Sequence, residues 1–209
     1  MTFPAQLLLQ EASIALQDTD RIRWTAPELV KYLNAGIKVL ITKRPDANPK
    51  KAEFVPARGA RQALPDEAVA FIDVIGNTEG TQRSITKVDI GLLNAFNRDW
   101  QSGRQLPVAR HFSFDLRDPR TFYLEPPSNG AGKIDILYSV FPADLATDAD
   151  DVPLNVQWRS ALLNYVLGRA YAKDAEYGGN AAAAAAYMNA FASDIGEQLQ
   201  SSTAVVPTS

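Results

Sequence analysis

The chain has 209 residues, 46% of them hydrophobic, with 21 Lys plus Arg against 24 Asp plus Glu and a formal net charge of -3. That is enough apolar material to bury a sizeable core, and the charge argues against a protein whose main work is gripping phosphate backbones. The sequence holds no cysteine, which excludes disulfides, thiolate metal sites and cysteine nucleophiles together.

The opening M-T-F-P-A-Q-L-L-L-Q-E lacks the basic and long apolar regions of a secretory signal, and no apolar run approaches the roughly 20 residues that span a bilayer. No membrane partner is expected. From Ala5 to Gln17 the spacing predicts a short amphipathic helix, with Leu8 or Leu9, Ala12, Ala15 and Leu16 inward and Gln10, Glu11, Ser13 and Gln17 opposite. Asp18, Thr19 and Asp20 end it. Thr25-Ala26-Pro27-Glu28 then has the form of a capping box. The helix that follows presents Leu29, Val30, Leu33, Ile37, Leu40 and Ile41 on one face. Lys43 and Arg44 suit its C-terminal dipole, and Pro45 blocks continuation.

Residues 46–51 read as a polar loop and Ala52 to Arg58 as a short extended piece. Leu64-Pro65-Asp66-Glu67 resembles a helix start, and the apolar run through Ile75 fits either a helix or a strand. Gly76 to Gly80 is a turn cluster. Lys87 to Trp100 reads as a helix, with Val88, Leu92, Phe96 and Trp100 at successive i+4 positions. From Val108 the period becomes two: Phe112, Phe114 and Leu116 alternate with His111, Ser113 and Asp115, which predicts one buried and one wet face. With Thr121 to Glu125 and Lys133 to Phe141, this strand is expected to form an antiparallel meander, followed by an acidic linker from Pro142 to Asp151.

Val152 to Leu199 reads as a helical hairpin. Its first helix carries Leu154, Trp158, Ala161, Leu162, Tyr165 and Val166 at helical spacing behind a first-turn Pro153. Gly178 and Gly179 stop it, and Asn180 opens a second helix through the alanine run 181–186 to Met188, Ala192, Ile195 and Leu199. The small side chains of Ala161, Gly168 and Ala172 permit close approach of the two backbones.

The wording A-L-L-N-Y-V-L-G-R-A-Y-A-K-D-A-E-Y-G-G-N, with R-I-R-W-T-A-P-E-L-V-K-Y-L-N-A-G-I-K-V-L nearer the start, resembles the head-to-tail adaptor (connector, neck) family of tailed phages. The resemblance implies a structural virion protein, made in the host cytoplasm and placed at the head-tail junction. It implies a ring, a dodecamer, between the portal protein and the tail tube or nozzle protein. DNA would pass through its lumen without sequence-specific binding.

His111, Ser113 and Asp115 have the types of a catalytic triad, but residues two and four apart on one strand lie ~7 and ~13 Å apart, so the aspartate cannot orient the imidazole. Asp144, Asp148, Asp150 and Asp151 lack the glycine and bidentate glutamate of a calcium loop and read as a solvated linker. Lys173, Asp174 and Glu176 read as a charged helix face beside Arg169, or as half of an ion pair between subunits. Arg104, Arg110, Arg117, Arg120 and Lys133, near Phe112, Phe114, Phe122 and Tyr123, superficially resemble a nucleic-acid platform, yet the aromatic alternation is that of a core.

The expected fold is α+β, mainly α. Residues 1–100 form the helical part of a bundle, 104–142 an inserted antiparallel meander, 152–199 the C-terminal hairpin and 200–209 a flexible tail. Trp24 and Trp158 anchor the helical core. No catalytic, cofactor-binding or metal-binding residue and no cofactor is expected, and the protein is not expected to be an enzyme. The alternative is a small carboxylate- and His-dependent hydrolase or metal-dependent enzyme built around His111.

Overall fold

The structure, a computed structural model, describes residues 2–79, 83–174, 176 and 178–203, the last seven of these as helix backbone only. In chain order the elements are β1 (Phe3–Pro4), α1 (Ala5–Ala15), α2 (Ala26–Lys43), β2 (Pro49–Phe54), β3 (Gly59–Ala63), β4 (Ala68–Asn77), β5 (Thr86–Lys87) and α3 (Ile90–Phe96). They continue with β6 (His111–Phe114), β7 (Thr121–Ser128), β8 (Ile134–Val140), β9 (Asp151–Val152), α4 (Arg159–Lys173) and α5 (Asn180–Thr203). Residues 204–209 of the expected tail lie outside the described residues, and its first part continues α5.

Two compact units result. One comprises the chain up to Ala47 and from Pro142 onward; the other is Asn48–Phe141. In the first, α4 packs against α1, α2 and α5, while β1 and β9 pair antiparallel, Phe3 opposite Val152. The apolar stripe of α2 buries Leu29, Leu33, Leu40 and Ile41 completely, because residues three and four apart share a helix face. Trp158 and Trp24 are buried in the same core, and the Trp24 indole donates to the Ala170 carbonyl at 3.1 Å. Helices approach closely where a side chain is missing: a Cβ on Gly36 would stand 2.8 Å from the Tyr165 ring, and one on Gly168 2.8 Å from Met188 Sδ.

Three local features differ from the sequence pattern. Thr25 makes no side-chain cap, and the Glu28 carboxylate accepts from Tyr32 and Lys173 rather than reaching back to the cap. Ser13 is buried rather than outward, its hydroxyl donating to the Leu9 carbonyl, and Ala15 is exposed. Val152 lies in β9 and not in a helix; α4 begins at Arg159 after a 3-10 turn at Val156–Trp158 that Asn155 caps through its side chain.

The second unit is built on two sheets. One has the order β2-β8-β4, all antiparallel; the other is β3-β7-β6-β5, antiparallel except for the parallel β5-β6 pair. Phe71 and Val74 of β4, Ile134, Ile136 and Tyr138 of β8, Phe112 of β6, and Phe122 and Leu124 of β7 share one core. Phe71 stacks on Phe122 with ring centroids 4.7 Å apart and meets Phe112 edge-on at 5.8 Å.

The expectation of a mainly α bundle with one small sheet is therefore overturned. The chain is 41% helix and 25% strand, with three sheets, an α+β fold that is not a helical bundle. Residues 68–75, open between helix and strand in the sequence, are strand β4, which buries residues on both faces and so carries no alternation, and β3 and the two-residue strands β1, β5 and β9 were not expected. Nor do the three later strands form a meander: β7 already has β3 on its other edge, so β8 pairs with β2 and β4 instead. The helix expected over 87–100 is reduced to α3 and a 3-10 turn at Trp100–Ser102, with Asp89 capping α3 by accepting from the amides of Gly91 and Leu92.

Candidate functional site

On β6, Phe112 and Ser113 are both buried, so the strand does not have one wet face, and Leu116, expected inside, is 84% exposed. His111 stands opposite Glu125 in the register, and its Nδ1 is buried without a hydrogen-bond partner. Asp115 turns away from it to Arg117. The Arg117 guanidinium, followed by its backbone amide, holds the Asp115 carboxyl down at about 2. Both carboxylate oxygens are engaged by that arginine, which leaves the imidazole without an orienting acid.

The acidic stretch after Pro142 is dispersed by its partners. Asp144 pairs with Lys38 at 2.7 Å and Asp148 with Arg21 at 2.6 Å. Asp150 accepts from the amides of Ala146 and Thr147, and Asp151 is held in β9. Among the described residues, no group of three or more His, Asp or Glu side chains is placed to hold a metal ion.

Arg21 adopts φ 53°, a left-handed conformation uncommon for a residue with a Cβ. The turn around it is fixed by Asp18, whose carboxylate accepts from the amides of Trp24, Ile22 and Arg23 at 2.8 to 3.0 Å. Those donors, Trp24 foremost, keep its pKa below the ordinary aspartate value.

The charged end of α4 is also committed within the chain. Lys173 pairs with Glu28 at 2.7 Å, and Tyr32 donates to the same carboxylate at 2.7 Å. Burial and that bond push the Tyr32 hydroxyl up to about 12. Asp174, 7% exposed, takes Nε and Nη2 of Arg23 on its two oxygens. Arg169 lies over the Tyr32 ring at 5.7 Å, and Glu176 is exposed. Asp174 thus has its arginine in its own chain, which removes the reason to assign it an ion pair between subunits.

The cations near the sheets divide in two. Arg117 pairs with Asp115, Arg120 donates to the Pro65 carbonyl at 3.1 Å, and Lys133 pairs with Glu53 at 2.9 Å. Arg104 and Arg110 are exposed. The aromatic rings do not form a platform beside them: Phe112 and Phe122 are core, and Tyr123 meets the buried Trp100 edge-on at 6.0 Å.

Large apolar side chains also stand at the surface. No residue of α3 is buried, and Phe96 is 87% exposed. A groove of about 180 Å³ beside it is lined by Val88, Leu92, Leu93, Phe96, Trp100 and Glu125. On α1, Leu7 and Ile14 face outward, and Ile22 stands 81% exposed in the following turn. Of the four residues at i+4 spacing from Val88 to Trp100, only Trp100 is buried, and the spacing itself does not tell an inner from an outer face. No described helix is long and apolar enough to cross a membrane.

A family model described as SU10 adaptor protein matches residues 2–208, a span that takes in both units. No curated protein matches the chain.

Proposed function

The chain belongs to the SU10 adaptor protein family, a family of phage head-to-tail adaptors, and from that membership we propose that copies of it close into a ring between the portal protein and the tail. The family match over 2–208 is the observation that carries this reading. The surface supports it. Asp115, Asp148, Lys173 and Asp174 are tied to partners in the same chain, whereas Phe96, Leu116 and Ile22 are more than four-fifths exposed. Contiguous apolar patches mark surfaces that other macromolecules cover, and the groove beside Phe96, lined also by Val88, Leu92, Leu93 and Trp100, is of that kind.

A ring of identical subunits needs two different faces that fit each other, with a rotation that closes. Twelve copies are the proposed number, with the portal protein on one side and a tail tube or nozzle protein on the other. The lumen passes DNA, and a chain with net charge -3 suits passage rather than retention. The protein is made in the host cytoplasm and ends in the virion. Its role is structural. The enzymatic alternative draws no support from the geometry, since Asp115 and Asp174 are each engaged by an arginine.

Electron microscopy of the purified portal, with and without this protein, tests the reading. A new ring stacked on the portal is the expected outcome. A portal unchanged at saturating protein, or tailed infectious particles assembled without the chain, would overturn it.

A further inference from the structure

Asn77, at the end of β4, is buried and ties two separate stretches of chain together. Its Nδ2 donates to the carbonyls of Arg83 at 3.0 Å and Ala109 at 2.9 Å, and its Oδ1 accepts from the Ala109 amide at 3.0 Å. Its own amide donates to the same Arg83 carbonyl at 3.1 Å. Arg110 is held by both of its backbone groups: its amide donates to the Glu125 carbonyl at 2.8 Å, and its carbonyl accepts from the Thr86 amide at 2.9 Å. The side chains of Arg83 and Arg110 therefore spring from backbone that is already fixed.

Both arginines line one surface cavity of about 280 Å³, together with Ser84, Leu106 and Val108, and no carboxylate is among its described lining residues. Arg83, Arg110 and Arg104, which lies two residues before Leu106, are exposed and make no ion pair among the described residues. By contrast Lys50, Lys51, Arg117 and Lys133 of the same unit each have a carboxylate within 2.9 Å. Two guanidiniums without a counter-charge, set beside a hydroxyl on pinned backbone, make a place for an oxyanion. Guanidinium forks donate in pairs to phosphate oxygens, and a site settled in advance loses little on binding.

We propose that Arg83 and Arg110, with Arg104 at the rim, seat the phosphodiester backbone of duplex DNA. The choice of DNA among polyanions rests on the adaptor reading, in which DNA passes through the ring; the site itself rests on the geometry. Leu106 and Val108 offer an apolar wall to the deoxyribose between phosphates. The contact reads no sequence, because phosphates carry none. A net charge of -3 keeps the rest of the surface from holding DNA, so each copy touches the duplex at one small patch, enough to steady it and too little to retain it.

Amide NMR of the full chain, titrated with a short DNA duplex, tests this on wild type, Arg83→Gln, Arg110→Gln and the control Arg117→Gln, whose arginine is exposed but paired with Asp115. All three positions are exposed, and the amide spectrum itself reads whether each variant is folded. Shifts are expected at Ser84, Ala109 and Arg110, with an association constant that falls about tenfold between about 50 and 200 mM salt, as two phosphate contacts require. Arg83→Gln and Arg110→Gln should each lower the logarithmic salt slope by about 1, and Arg117→Gln should leave it unchanged. No shift at low salt, shifts that avoid this patch, or equal losses in all three variants would overturn the site. So would a polyglutamate peptide that moves the same amides more strongly than the duplex does, since it would give the patch to an acidic protein. A chain that binds duplex through both arginines but is missing from the neck of phage particles would end the adaptor reading and leave the DNA contact standing. A chain present at the neck that binds no duplex would do the reverse.

Discussion

Gly132 faces the Pro107 carbonyl so closely that a Cβ would stand 1.7 Å from its oxygen. The obstacle is backbone, which cannot rotate aside as a long side chain can. Gly132→Ala is therefore expected to destabilise the unit formed by residues 48–141 by about 3 kcal/mol or more. Gly196→Ala, in α5 with nothing within 4 Å, should instead gain up to about 1 kcal/mol from helix propensity. Thermal unfolding of the two variants checks both signs.

Each unit has its own buried cluster, with Trp158 in one and Phe71 in the other. Trp158 is 1% exposed and lies under the Arg44 guanidinium at 5.1 Å; its replacement by alanine should cost about 3 to 5 kcal/mol. Phe71→Ala removes the ring stacked on Phe122 and should cost a similar ~3 to 5 kcal/mol. Amide hydrogen exchange separates them. Phe71→Ala should speed exchange in β4, β7 and β8 more than in α4, and Trp158→Ala the reverse.

Asp18, Glu28 and Asp46 all lie in the helical unit with pKa values below their ordinary ones. For Asp18 the cause is amide donors led by Trp24. For Glu28, burial pushes upward but is outweighed by Lys173 and Tyr32, and for Asp46 the Arg44 guanidinium dominates. A carboxylate depressed in the folded state contributes its stabilisation fully above the unfolded value, ~4, and loses it as pH falls through the folded value. The melting temperature should thus hold level above about pH 5 and fall below about pH 4. Asp18→Asn should lower the plateau and make the acid fall shallower, as a melting series from pH 2 to 7 would read.

Arg23 and Asp174 are coupled within one chain. Asp174→Ala should cost about 1 to 3 kcal/mol, the worth of a charge-assisted hydrogen bond to a buried acceptor. A double-mutant cycle with Arg23→Ala should give a coupling of ~0.5 to 3 kcal/mol that is the same at low and high protein concentration. A coupling that grows with concentration would mean that the partner is on another copy.

Legibility followed locality. The stripe from Leu29 to Ile41, bounded by Pro27 and Pro45, marks α2 because every contact that defines it lies within four residues. The α4 stripe from Ala161 to Val166 is equally plain. β3 is nearly invisible in G-A-R-Q-A, where the fully buried residue is Gln62, held by carbonyls of Ala57 and Gly59. β8 was recognisable as a strand, but its neighbours depend on pairings with residues 49–54 and 68–77, far away in sequence. At the candidate sites, distance along one strand was enough to break up the triad of His111, Ser113 and Asp115. The arginine that claims Asp174 is 151 residues away, and no periodicity announces it.

The pairing of Phe3 with Val152 joins the beginning of the chain to the point where it returns from the sheet-bearing unit. During synthesis, the first two helices leave the ribosome long before α4 exists to cover them, while residues 48–141 already hold everything their own cluster requires. The middle of the polypeptide can thus be finished while its flanks still wait, with Leu29, Leu33 and Ile41 open to any chaperone or neighbouring nascent chain. Translation speed after Phe141 accordingly sets how long that vulnerable interval lasts.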